Sequence, residues 1–183
     1  MNILIIGLGS IGQRHLRNIK QIYPKSNILC YRRKFKVPTL DNLNNVKKIN
    51  LKKKYKLNYI NTLNNLDQFN LDAALICTPS NFHIDEAIKI ASQKINIFIE
   101  KPLGSSLKKI KKLKNIVYKN KIISMMGFQM RFCPILNKIK KIIKSNKYGK
   151  LNQVLIHNGE SITNYHNYEN YTNSYAAKKE LGG

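Results

Sequence analysis

Three glycines in the run Gly7-Leu8-Gly9-Ser10-Ile11-Gly12 have the spacing that lets a backbone cradle a pyrophosphate. Gly7 permits a tight turn, Gly9 leaves room for phosphate beside the main chain, and Gly12 lets a helix pack close to the preceding strand. Ser10 and Ile11 open that helix, where unpaired N–H groups and a partial positive charge favour an anion. A glycine-rich turn without a ligand is the plainer alternative. Roughly 20 residues on, NAD sites place a carboxylate against the ribose hydroxyls. Here that place holds Tyr31-Arg32-Arg33. Arg32 and Arg33 suit a 2′-phosphate, so NADP is expected to be favoured over NAD, with solvated surface arginines as the alternative.

The elements that must position these residues follow from hydrophobic period. Asn2 to Ile6 is a short apolar run, and Ile11, His15, Leu16, Ile19 and Ile22 recur at helical spacing until Pro24. With the apolar run Ile28 to Tyr31 they form one βαβ unit, which implies parallel strands. Weaker signals suggest a strand over Leu57 to Ile60 and a helix near Leu63 to Phe69. Further strands are expected at Ala73 to Cys77, Ile95 to Ile99 and Ile122 to Gly127. A helix follows the first of these through Ile84, Ala87, Ile88 and Ala91. A second, capped by Ser105 or Ser106, carries the stripe Leu107, Ile110, Leu113 and Val117. Beyond Pro134 an amphipathic helix runs to about Lys144, then a turn and a strand from about Leu151 to Ile156. The Tyr/Asn-rich stretch from Tyr165 to Tyr175 is not expected to order by itself. The alternation predicts an α/β, doubly wound, mostly parallel Rossmann sheet over residues 1–123. The linker helix and incomplete start of an α+β domain follow over 124–183.

Composition narrows the classes. The 183 residues carry a formal charge of +24, which by itself invites a nucleic-acid or membrane-surface reading. The excess is mostly lysine spread over nearly every segment, and arginines, the better readers of phosphate and base edges, are few. A solvated basic surface is therefore expected, with neither nucleic acid nor membrane as partner. No apolar run approaches the roughly 20 residues of a membrane span, and the N-terminal run lacks the basic lead of a signal peptide, so a cytoplasmic protein is expected. Cys30, Cys77 and Cys133 show no metal-ligand or disulfide spacing, and no metal site is expected.

Five segments in order resemble the Gfo/Idh/MocA oxidoreductases, a family named for glucose-fructose oxidoreductase and myo-inositol dehydrogenase. They are GLGSIGQRH from Gly7, TPSNFH from Thr78 to His83, EKPLG from Glu100 to Gly104, GFQMRF from Gly127 to Phe132, and YGKL from Tyr148 to Leu151. The resemblance implies hydride transfer between nicotinamide and a secondary alcohol of a sugar, sugar nucleotide or cyclitol. It makes Lys101 the catalytic candidate, reaching both nicotinamide and substrate hydroxyl and helping to move the hydroxyl proton. Pro102 would follow a cis peptide bond. Thr78, Pro79, Ser80 and His83 match the loop along the cofactor, Glu100 and Gln129 match cofactor positions, and Arg131 matches a substrate position. Alternatives stay open: a Glu100–Lys101 ion pair, His83 as a helix-start residue, and Arg131 as a domain-interface residue.

The tail is similar to a subgroup linked to nonulosonic-acid or other surface-sugar pathways, whose pattern is close to W-H-P-Y-E-D-Y. Tyr165 stands for its Trp and Asn167 for its Pro, and His166 becomes a candidate sugar contact. The resemblance further implies a carbohydrate-like substrate, a homo-oligomeric full-length form, and a general acid/base histidine in sequence beyond Glu180-Leu181-Gly182-Gly183. The 183 residues alone are thus expected to bind cofactor and turn over little substrate. A non-catalytic dinucleotide-binding module is the alternative.

Overall fold

The computed structural model describes residues 1–32, 38–164, 166 and 168–183. Arg33, Tyr165 and Asn167, singled out above, lie outside the described residues. Apolar runs of three to five residues form six strands: β1 (Asn2–Ile6), β2 (Asn27–Tyr31), β3 (Asn58–Ile60), β4 (Ala73–Ile76), β5 (Asn96–Ile99) and β6 (Ser124–Met126). They make one parallel sheet in the order β3-β2-β1-β4-β5-β6, the arrangement of a doubly wound dinucleotide-binding domain.

Alternation along β1 splits the core into two layers. Leu4 and Ile6 join Ala74, Ile76, Ile97 and Ile99 against α3 (His83–Ala91) and α4 (Ile110–Asn120), through Ala87, Ile90, Ala91 and Leu113. Ile3 and Ile5 face the other way, with Ile28 and Cys30, against Leu16 of α1 (Ser10–Ile22), while α2 (Leu51–Tyr55) closes the edge through Leu51 and Tyr55. β1 and β2 thus bury consecutive residues on both sides, while β4 and β5 bury every second residue and leave the others partly covered, which explains the short, mostly apolar runs of the strands.

Several expectations are corrected. The helix near Leu63 to Phe69 is a single 3-10 turn over Asp67–Phe69. Leu63 and Leu66 are buried because Gln93 fastens the loop: its Nε2 donates to the Leu63 carbonyl at 2.8 Å and its Oε1 accepts from the Leu66 amide at 2.9 Å. The fourth helix starts at Ile110 rather than at Ser105 or Ser106. Lys109, at φ +66°, breaks the helical path before it, and Leu107 is left exposed. Residues 151–156 form no strand, since no ladder partner lies beside them and Leu155 and Ile156 stand exposed. The short α2 was not foreseen, although the Asn50 side chain accepting from the Lys53 amide at 3.1 Å is an ordinary helix cap. The final helix, α5 (Pro134–Ser145), forms as expected but buries none of its residues. The described residues of the tail carry 3-10 turns at Tyr171–Asn173, Tyr175–Ala177 and Lys179–Leu181, which leaves the expectation for Tyr165 to Tyr175 by itself untouched.

Candidate dinucleotide site

One register row explains how distant sequence segments meet. Ile60, Tyr31, Ile6, Ile76, Ile99 and Met126, the last residues of the six strands, lie side by side across the sheet. Because all six strands are parallel, the residues that follow them emerge on one edge. The amides of Gly7, Cys77, Glu100 and Gly127 donate to the carbonyls of Tyr31, Ile6, Ile76 and Ile99 at 2.8–2.9 Å. Arg32, the glycine turn, the Thr78 loop, the Glu100–Lys101 turn and the Gly127–Gln129 segment are therefore neighbours in that order. The chain runs away from β1 in opposite directions, to β2 and to β4, which opens a crevice above the glycine turn.

The three glycines do different work. Gly7 has φ +93°, and a Cβ there would lie 2.8 Å from the Cys77 carbonyl oxygen. A Cβ at Gly12 would lie 2.0 Å from the Gly7 carbonyl oxygen. Both are demanded by the protein itself. Among the described residues a Cβ at Gly9 would meet nothing within 4 Å, so their packing does not call for glycine there. Gly9 also caps α1 without a side-chain hydrogen bond, and no acidic residue sits in the first turn. The ledge thus keeps its amide donors for an anion, the arrangement that fits a dinucleotide pyrophosphate. Gln13, which sequence reading passed over, is buried below this ledge. It donates to the Leu8 and Pro38 carbonyls at 3.1 and 2.9 Å and accepts from the Leu40 amide at 2.8 Å, tying the segment after β2 back to the glycine turn.

Around Lys101 the geometry departs from the simplest expectation. Glu100 does not pair with the Lys101 ammonium. Its Oε1 lies 2.7 Å from His15 Nε2, and its Oε2 accepts from the Lys101 amide at 3.1 Å. Burial pushes the Glu100 carboxyl up, but the His15 hydrogen bond and charge, with the Lys101 amide and charge, outweigh it and hold the group below its ordinary value. Lys101 precedes a cis bond to Pro102 and leaves its side chain exposed. His15, one turn into α1, lies in the recognised glycine segment, where the sequence showed it only as part of the helical stripe and gave no signal of this contact.

The Thr78 loop is shaped from beneath. Thr78 Oγ1 donates to Glu86 Oε2 at 2.5 Å, and His83 is buried with Nε2 2.7 Å from the Thr78 carbonyl and Nδ1 2.7 Å from the Pro102 carbonyl. His83 therefore lies inside the loop rather than on a surface open to ligand. Ser80 is also buried, and the C-terminal turn covers this part: the Asn81 side-chain amide donates to the Glu180 carbonyl at 2.9 Å. Pro79 stays partly accessible beside it. Gln129 and Arg131 stand exposed in a 3-10 turn, with the Arg131 guanidinium 5.7 Å over the Phe128 ring. His166 is engaged within the tail, 2.7 Å from Glu169 Oε1 and stacked on Tyr168 with centroids 4.8 Å apart. Among the described residues no helix is long and apolar enough to cross a membrane.

Comparison with known proteins points the same way. Residues 1–128 match the Gfo/Idh/MocA model, described as an oxidoreductase family with an NAD-binding Rossmann fold. The chain is 29% identical over 146 residues to scyllo-inositol 2-dehydrogenase (NAD(+)) of Bacillus subtilis, covering 80% of this chain and 41% of that protein. It is 30% identical over 156 residues to myo-inositol 2-dehydrogenase of Thermotoga maritima, covering 82% and 42%. A solved probable dehydrogenase from Thermotoga maritima superposes with a TM-score of 0.63 at 26% identity, over 81% of this chain and 42% of that one. The chain thus spans about two fifths of the length of these relatives.

Proposed function

The chain belongs to the Gfo/Idh/MocA oxidoreductases, with their NAD-binding Rossmann fold, and on that premise we propose that it binds a nicotinamide dinucleotide over the glycine turn and serves hydride transfer to or from a secondary alcohol of a sugar, sugar nucleotide or cyclitol. The observation that carries the reading is Gly9: a glycine that the packing of the described residues does not require, at an uncapped helix start, on the carboxyl edge of a parallel sheet. The inositol dehydrogenases among the relatives support the substrate class.

When bound, the dinucleotide supplies the hydride chemistry. The amides at the start of α1 hold its phosphates. Arg32, one residue past β2 and exposed beside the turn, offers a guanidinium to a 2′-phosphate, which favours NADP. Lys101 Nζ, at the carboxyl edge of β5, takes or returns the hydroxyl proton, while Glu100 and His15 fix the backbone it stands on. Gln129 and Arg131 border the nicotinamide and substrate side, and His166 is a sugar contact brought by the tail. Residues 124–183 begin the unit that covers the substrate.

A fluorescence titration of the protein with NADPH and NADH, repeated with Gly9→Asp, tests the reading. Saturable binding, tighter for NADPH and lost in the variant, is expected. Absence of binding by either dinucleotide overturns it.

A further inference from the structure

His83 reaches Pro102, nineteen positions away in sequence, and so connects two loops. β4 and β5 are adjacent parallel strands, so the Thr78 loop and the Lys101–Pro102 turn leave the sheet side by side. The strand ladder reaches them with the Glu100 amide donating to the Ile76 carbonyl, and beyond that bond the gap needs another tie. The imidazole supplies it: it is 1% exposed, and its two nitrogens, on different edges of the ring, each lie 2.7 Å from a carbonyl oxygen, Pro102 for Nδ1 and Thr78 for Nε2. Carbonyls only accept, so the ring must donate in both contacts, which takes a proton on each nitrogen, the imidazolium form, since a neutral ring carries a single N–H. Three residues further along α3, Glu86 takes the Thr78 hydroxyl, which fixes the same residue by its side chain.

We propose that His83 is a positioning residue, a clasp that sets the distance between the loop under the cofactor and the turn that presents Lys101. Neither ring edge is left over for a ligand, so the histidine acts on the site through the Thr78 and Pro102 carbonyls. Its two nitrogens have separable tasks. The Nδ1 contact holds the turn that carries Lys101, and the Nε2 contact holds the loop beside the glycine ledge. The consequence for binding and proton handling rests on the function proposed above; the clasp itself does not.

Two conservative variants separate the tasks. An Asn amide nitrogen stands where Nδ1 stood, and a Gln amide nitrogen stands near Nε2. His83→Gln is expected to speed amide hydrogen exchange at Leu103 and Gly104 by about tenfold, the cost of one hydrogen bond, while residues 80–82 and NADH affinity stay within about twofold of the parent. His83→Asn is expected to do the reverse, loosening residues 80–82 and weakening NADH binding several-fold. A merely structural histidine would loosen both loops alike in both variants, and that outcome, or no change in either loop, overturns the proposal. In the unsubstituted protein, nuclear Overhauser contacts from the His83 ring to residues 78 and 102 are expected, and their absence overturns it even where a variant fails to fold. If the parent binds no NADH, the functional reading fails while the exchange pattern still decides the clasp.

Discussion

His15 Nε2 lies 2.7 Å from Glu100 Oε1, so the helix that follows the glycine turn grips the residue immediately before Lys101. The partners are 85 positions apart in sequence. The pair links the ledge expected to hold phosphate with the turn expected to handle the proton, and the His15 ring also meets Phe98 edge-on at 5.1 Å. Glu100→Gln removes the charge-assisted bond and is expected to cost about 1–3 kcal/mol in urea denaturation at neutral pH. Folding lowers the Glu100 pKa, so the folded state binds the proton less readily than the unfolded one. Its contribution is then present above the ordinary carboxyl range, near pH 4.3, and is lost as pH falls through the lower folded value. Melting curves of Glu100→Gln should accordingly fall less steeply than the parent's on acidification below about pH 4.5. Parallel curves would show that the carboxylate contributes nothing.

The glycines supply a contrast within one loop. Gly12→Ala drives a methyl to 2.0 Å from the Gly7 carbonyl oxygen, and both are backbone-fixed, so a loss of about 1–3 kcal/mol or more in thermal or urea unfolding is expected. Gly9→Ala meets open space and should leave stability within about 0.5 kcal/mol of the parent. Its cost should appear in the NADPH titration instead, as affinity lowered tenfold or more, because the added methyl stands where the pyrophosphate approaches.

Strong local patterns explain what could be read in advance. β1 buries consecutive residues and β4 and β5 bury alternate ones within short, mostly apolar runs, and the glycine turn must sit between a strand and a helix to be meaningful, so both were legible. The His15–Glu100 and His83 contacts were not: each joins a helix to a turn after a different strand, and neither leaves a periodic trace. Leu63 and Leu66 misled in the opposite sense, since their helical spacing comes from a loop that Gln93 ties down, not from a helix. Residues 151–156 have strand composition, yet composition cannot supply the neighbouring backbone a strand must bond. Ser105 and Ser106 looked like caps, while the left-handed residue that starts α4 is Lys109, a type with no capping signature.

Arg32 is the described half of the arginine pair, leaving β2 next to the turn where the Gly7 amide donates to the Tyr31 carbonyl at 2.9 Å. Arg32→Ala should lower NADPH affinity by about tenfold, the worth of one hydrogen bond to a charged group, and change NADH affinity by less than about twofold. Competition of each dinucleotide against a fluorescent analogue measures both. Equal losses for NADPH and NADH would place Arg32 on the shared part of the cofactor and remove the basis for an NADP preference.

Two apolar residues on different helices separate the packed domain from the face beyond it. Leu16 on α1 is fully buried against the sheet, and Leu16→Ala is expected to cost about 2–5 kcal/mol, read as a lower urea midpoint at unchanged slope. Ile139 sits on α5, none of whose residues is buried, and is 45% exposed. With Ile135, Leu136, Ile142 and Ile143 it forms an apolar stripe at helical spacing, too large a patch to be comfortable in water. Ile139→Lys removes no buried contact, so the urea midpoint should move by less than about 0.5 kcal/mol equivalent, while light scattering at high protein concentration should fall. A large loss of stability in Ile139→Lys would instead mean that α5 is held by the Rossmann core in solution.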